Sequence, residues 1–138
     1  MTAPTPVLLD TDTLSALLRR NPIVTTRARD YLSSHHRFAF SIITRYEILR
    51  GLKARHATRQ QAAFDRFCTS NTILPLSDTT VVQAAEIYAD LHRRGELIGD
   101  ADILIAATSI VGGYGLATNN ERHFERIEGL NIDNWLRE

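Results

Sequence analysis

Three acidic residues stand at separated places whose surroundings are otherwise apolar: Asp10 closing VLLD, Glu47 inside SIITRYEILRGL, and Asp102 inside LIGDADILIAA. An ionised carboxylate is costly to bury alone. Three of them at the ends of apolar elements suggest one shared cation. An all-oxygen donor set suits a hard one such as Mg²⁺ or Mn²⁺.

Each acid also has a purely architectural reading. Asp10 can be the N-cap of the following helix, and Asp12 competes for that task. Glu47 can pair with Arg50 one turn along a helix surface, worth a few tenths of a kcal/mol. Asp102 precedes ILIAA in the first turn of the most apolar helix. There a negative charge gains about 0.3–1 kcal/mol from the helix dipole, a task Asp100 fills equally well. Asn119 and Asn120 read as turn residues and cap for NERHF, or as groups that orient a water and complete the acidic pocket. Thr11, Ser41, Thr44 and Thr118 are the hydroxyls placed to hydrogen-bond around the carboxylates.

The elements that must position these residues alternate between short strands and helices. Strands are expected over residues 6–9, 38–41, 73–76 and 114–118, with an edge strand at 131–133. Helices are expected over 13–20, from Pro22 to about 33, and over 44–54, 58–69, 78–94, 100–111 and 120–126. Asn21 before Pro22, and Ser77 before Asp78, are good caps. Gly95 and the Gly112–Gly113 pair are stops. In the long helix after Ser77, Val81, Val82, Ala85, Tyr88, Ala89 and Leu91 are expected to supply the apolar side. Short all-apolar strands joined through helices give an α/β fold: a short parallel sheet covered on both faces. In such sheets ligands gather outside the carboxyl ends of the strands. Asp10, Ser41, Thr44 and the Asn119–Asn120 pair all follow strands, so the polar residues collect at one edge.

Composition bounds the rest. A chain of 138 residues with 43% hydrophobic and 23% charged residues is expected to be a single domain, 1–138, with a real core. The one cysteine, Cys68, forbids an internal disulfide, and no Cys/His spacing suggests zinc. No basic leader precedes an apolar run and no run is long enough to span a bilayer, so a cytoplasmic protein is expected. Net charge is zero, but residues 1–70 carry +6 and residues 71–138 carry −6. Arg45, Arg50, Lys53, Arg55 and Arg59 are either phosphate contacts or a solvated face. Overall neutrality excludes a general nucleic-acid coat protein. The five histidines show no metal spacing and nothing pairs them with the acidic edge. There is no P-loop, no GxSxG and no dinucleotide glycine fingerprint.

Four segments in register carry a family resemblance: LLDTDTLSALL at 8–18, SIITRYEILRG at 41–51, IGDADILIAAT at 98–108 and LATNNERHFERIEGLNIDNW at 116–135. Together they resemble the PIN-domain nucleases, and most of all the VapC-like toxins of bacterial and archaeal toxin–antitoxin pairs. The resemblance implies a three-layer α/β/α domain and metal-dependent endoribonuclease activity with Mg²⁺ or Mn²⁺. Asp10, Glu47 and Asp102 match the family's acids in turn. A fourth acid is common near position 120, where this chain has Asn120. The implied chemistry is hydrolysis of RNA, tRNA or another structured RNA included, by water. The products would carry 5′-phosphate and 3′-hydroxyl ends. Asp10 and Asp102 would be direct ligands, with Glu47 a ligand or the group that orients the water. The implied partners are a cognate VapB-like antitoxin that binds beside the pocket and a second copy in a homodimer. Tyr31, Leu32 and the apolar faces of the early helices are candidate contacts. Two other classes fit the same residues: a DNA-directed or structure-specific nuclease, and a non-catalytic binding module with vestigial acids.

Overall fold

The computed structural model of the chain describes residues 5–137. Residues 1–4, part of the stretch read above as lacking a leader, and residue 138 lie outside it. The chain runs β1 (Val7–Leu9), α1 (Thr11–Leu18), α2 (Pro22–His35), β2 (Ala39–Ser41), α3 (Ile42–Ala54), α4 (Thr58–Thr69) and β3 (Thr72–Leu74). It continues through α5 (Asp78–Arg93), α6 (Asp100–Gly112), β4 (Gly115–Ala117), α7 (Glu121–Phe124) and β5 (Ile132–Asp133).

Every strand pair is parallel. β1, β4 and β5 form one ladder, with Leu8 opposite Leu116 and Leu116 opposite Ile132. β2 and β3 form a second, with Phe40 opposite Ile73. β1 and β2 lie beside each other, though no ladder joins them among the described residues. Strands of three residues in a twisted layer leave little overlap for pairing.

The period of two within each strand divides the core. Val7, Leu9, Phe40 and Ala117 face one way, into a cluster with Leu14, Val24, Tyr31, Ile48, Phe64 and Trp135. Leu8, Ala39 and Leu116 face the other way, into a cluster with Ile87, Leu91, Ile105, Phe124 and Ile127. Helices α1–α4 thus cover one side of the strand layer and α5–α7 the other, the expected three layers. Burial of a Leu or Phe side chain contributes about 1.5–3 kcal/mol, and Leu8, Leu9, Phe40 and Leu116 are all fully buried. Among the described residues no helix is long and apolar enough to cross a membrane.

Several expected boundaries move for local reasons. α1 starts at Thr11, because Asp10 and not Asp12 is its cap, accepting from the Thr13 amide at 2.8 Å. α3 starts at Ile42, because the Ser41 hydroxyl accepts from the Thr44 amide at 3.0 Å. β3 ends at Leu74, before Pro75, which has no N–H to give the ladder. Two larger expectations fail. Tyr31 is not a surface contact: it is 7% exposed, and its hydroxyl accepts from the Val7 amide at 3.1 Å. The apolar side assigned to α5 faces outward for the most part. Thr80, Ala84, Ile87 and Leu91 are buried, while Val81, Val82 and Tyr88 are exposed.

Candidate active site

The carboxyl ends of β1, β2 and β4 open on the same edge. Asp10 follows β1 directly, and its amide donates to the Ala117 carbonyl at 3.0 Å, so it sits beside Thr118 at the end of β4. Asp10 is 5% exposed. Burial raises its pKa from 3.8 to about 6, against the pull of the Thr118 hydroxyl and the Thr13 amide, with the Asp12 charge adding to the rise. A carboxylate kept this dry and this weakly offset is short of positive charge.

Glu47 reaches the same edge from α3. Its Oε1 accepts from the Thr11 hydroxyl at 2.7 Å, and its Oε2 lies 3.6 Å from Arg50. The expected Glu47–Arg50 pair therefore exists, alongside the bond to Thr11. Thr11 and Thr44 hydroxyl oxygens are 3.1 Å apart, and the Ser41 hydroxyl donates to Thr44 at 3.4 Å. Each hydroxyl has one proton, so the direction of this row is fixed: Ser41 donates to Thr44, Thr44 to Thr11, and Thr11 to Glu47. Three hydroxyl dipoles in series point at one carboxylate and fix its orientation.

Asp102 comes from the first turn of α6, whose N-cap is Gly99 with no side-chain cap bond. Its pKa is raised, first by burial, then by the Glu47 charge, with His123 lowering it and Asp12 raising it further. Glu47 and Asp102 thus face each other closely enough to repel. Among the described residues, no three Asp, Glu, His or Cys side chains converge into a ready-made metal cage. Mg²⁺ commonly keeps several waters and takes only one or two carboxylates, so the oxygen donors of Asp10, Asp102 and Glu47 suit a hydrated hard cation.

The remaining polar residues divide. Thr118 accepts the Asn120 amide at 2.9 Å while holding Asp10. Asn120 does not cap α7 through its side chain; its amide nitrogen lies 2.8 Å from His123 Nδ1. Asn119 departs from expectation. It is exposed and its Oδ1 accepts from Asn134 at 3.4 Å, since it follows Thr118 by one residue and so points away from the layer. His123 was not assigned to the acidic edge, yet its Nδ1 is 3.9 Å from Asp102. The available signal was its position three residues after Asn120, one helical turn along. Asp12, left open by the sequence, lies near enough to Asp10 and Asp102 to raise the pKa of both.

A groove of about 730 Å³ runs from this edge between α1, α3 and α4. Thr11 and Glu47 stand in its wall, Leu18, Leu52 and Phe64 make it apolar, and Arg19 and Arg55 line it as well.

The sequence matches the PIN-domain family over residues 7–130. It is 31% identical to Ribonuclease VapC2 of Haemophilus influenzae over 131 residues, 94% of this chain and 97% of that protein. It is 31% identical to the tRNA(fMet)-specific endonuclease VapC of Salmonella typhimurium over 129 residues, 93% of this chain and 96% of that protein. The fold superposes on a chain of the DNA-bound VapBC crystal structure from Salmonella typhimurium with a TM-score of 0.84 at 29% identity, covering 96% of this chain and 99% of that one.

Proposed function

The chain belongs to the PIN-domain family, and from that premise we propose that it is an endoribonuclease toxin, a single nuclease domain working in the cytoplasm and held in check by a VapB-like antitoxin. The observation that carries the reading is the approach of Glu47 to Asp102 with Asp12 near both Asp102 and the buried Asp10: burial is the first cause of both raised pKa values, and neighbouring acidic charge adds to it. Relatives of matching length named as ribonucleases support it.

Asp10 and Asp102 would hold Mg²⁺ or Mn²⁺. When bound, such a cation lowers the pKa of a coordinated water and stabilises charge on a scissile phosphate. The chain's own residues supply the rest. The Ser41–Thr44–Thr11 row holds the Glu47 carboxyl aimed, so that it can orient an attacking water and accept its proton. Thr118 and the Thr13 amide fix the Asp10 carboxylate. Arg19 and Arg55, in the groove that opens beside Glu47, are placed to meet backbone phosphates. Water and not the ribose 2′-hydroxyl is the nucleophile, so products end in 5′-phosphate and 3′-hydroxyl. The same groove, apolar with two arginines, suits an antitoxin segment with apolar and acidic side chains. Two copies of the chain form a homodimer.

The test uses the chain purified free of any antitoxin, with total cellular RNA and an initiator tRNA as substrates, in Mg²⁺, Mn²⁺ or EDTA. Discrete cuts that need the metal and vanish in Asp102→Asn are expected. Cleavage that persists in EDTA, or products with a 2′,3′-cyclic phosphate, would refute the mechanism.

A further inference from the structure

Tyr46 is the most exposed large apolar side chain among the described residues, at 60%. A single exposed ring needs no explanation by itself, but this one is held in place beside the acids. The Arg50 guanidinium, one turn further along α3, lies over the ring, 5.1 Å from its centroid. The same guanidinium reaches Glu47 Oε2 at 3.6 Å. One cation therefore braces the ring and meets the carboxylate, so the two are neighbours. Ile42, one turn before Tyr46 and 40% exposed, extends the apolar surface. At about 100° per residue, Tyr46 and Arg50 lie on one flank of Glu47. Ile48, Gly51 and Arg55, which line the groove, lie on the other. Glu47 thus stands between the groove and the ring.

We propose that the Tyr46 ring, braced by Arg50, is the stacking platform for an unpaired RNA base next to the scissile phosphate. The inference rests on the ribonuclease reading of the acidic edge and names what that edge grips on the side away from the groove. Single-stranded RNA is recognised by splaying its bases onto aromatic rings and guanidinium planes, and Tyr46 with Arg50 supplies both. Arg50 also puts positive charge on this flank, as Arg19 and Arg55 do in the groove. A strand crossing Glu47 therefore meets cations on both sides of the cut, each placed to offset a phosphate charge. A base inside a duplex is already stacked on both faces and has none to offer. Every unpaired base has such a face, so stacking tolerates any sequence. The platform consequently selects an RNA that is single-stranded at the cut, and leaves the choice of bases to other contacts. Cation–π bracing by Arg50 keeps the ring from turning away, which lowers the entropy lost when the base lands.

Binding is read by fluorescence anisotropy with the full-length Asp102→Asn chain, free of antitoxin, and a short end-labelled RNA, either single-stranded or annealed to its complement. Adding Tyr46→Ala is expected to weaken single-strand binding about tenfold, with an unchanged circular dichroism spectrum. Tyr46→Phe, which keeps the ring, is expected to bind like its parent, and duplex binding should not respond to either change. In cleavage by the chain with Asp102 intact, Tyr46→Ala is expected to raise KM about tenfold with kcat within about twofold, the mark of binding lost equally before and during reaction. An abasic nucleotide on the stacking side of the mapped cut should cost the wild type the same factor and the Tyr46→Ala chain nothing further. Single-strand binding that ignores Tyr46→Ala would overturn the proposal. So would an equal loss on duplex RNA, an abasic penalty that persists in Tyr46→Ala, or a Tyr46→Ala chain whose sedimentation velocity shifts, which gives the ring to a protein contact. Metal-dependent cleavage with unchanged KM in Tyr46→Ala removes the platform and leaves the ribonuclease. Ring-dependent binding of single strands without any cleavage removes the ribonuclease and leaves the base site.

Discussion

Replacing the buried Asp10 carboxylate by its neutral isostere should stabilise the fold at neutral pH. Folding raises the pKa of Asp10 from 3.8 to about 6, so the folded chain binds the proton more tightly than the unfolded chain. Stability from this group is therefore fully present below pH 3.8, falls as pH rises through about 6, and is gone above it. At roughly 1.4 kcal/mol for each tenfold change in proton affinity, ionised Asp10 costs the fold about 3 kcal/mol at pH 7.5. Asp10→Asn removes that cost. Asparagine keeps the cap, since Asn and Asp serve equally as N-caps. Re-pairing at Thr118 gives back about 1 kcal/mol. The net expectation is a gain of about 2 kcal/mol at pH 7.5, or roughly 6–10 °C in Tm for a chain of this length. The measurement is thermal unfolding by circular dichroism in EDTA at pH 4.5, 6 and 7.5. The two proteins should converge at pH 4.5 and separate at pH 7.5, and added Mg²⁺ should narrow the gap by stabilising only the wild type. An Asp10→Asn chain that melts below wild type at pH 7.5 in EDTA would show that burial does not strain this carboxylate.

Glu47→Gln and Asp102→Asn should each lower RNA cleavage by about a hundredfold or more while leaving Tm within a few degrees, read from initial rates on a labelled RNA alongside melting curves. Thr11→Val removes the donor at the end of the hydroxyl row. It should cost about 1 kcal/mol of stability by urea unfolding and lower kcat roughly tenfold, with KM little changed. Leu116→Ala, at a fully buried position of the central strand β4, should destabilise by about 2–5 kcal/mol in the same unfolding assay. Ala63→Glu places a charge in the wall of the groove. It should abolish co-purification with the antitoxin while RNA cleavage by the free chain persists, and unchanged co-purification would move the antitoxin to another surface.

Features set by local chemistry were readable in the sequence. An all-apolar VLL followed by Asp marks a buried parallel strand with its polar residue at the carboxyl end, and Ser77 and Asn21 cap the helices they were expected to cap. What escaped depends on contacts between distant segments. Periodicity cannot choose between two apolar sides of one helix, so the α5 side that packs on α6 was taken for the other. Tyr31 reads as an amphipathic surface residue until the Val7 amide, 24 residues away, is seen to claim its hydroxyl. His123 joins Asp102 only because α7 follows β4 back to the edge where α6 begins. Asp10 takes its capping reading, accepting from the Thr13 amide at the start of α1, and it is buried at the strand edge with Asp12 near it.

The bond from Thr11 to Glu47 ties α1 to α3 across the mouth of the groove. Anything wedged between those two helices strains that bond, and with it the aim of the carboxylate. A segment seated in the groove and a cation held at the strand edge then draw on the same arrangement of α1 and α3. If the segment favours a wider spacing than the cation does, each must weaken the other by an equal factor. An inhibitor of this molecule can therefore act as a wedge, without placing a single atom on the acids.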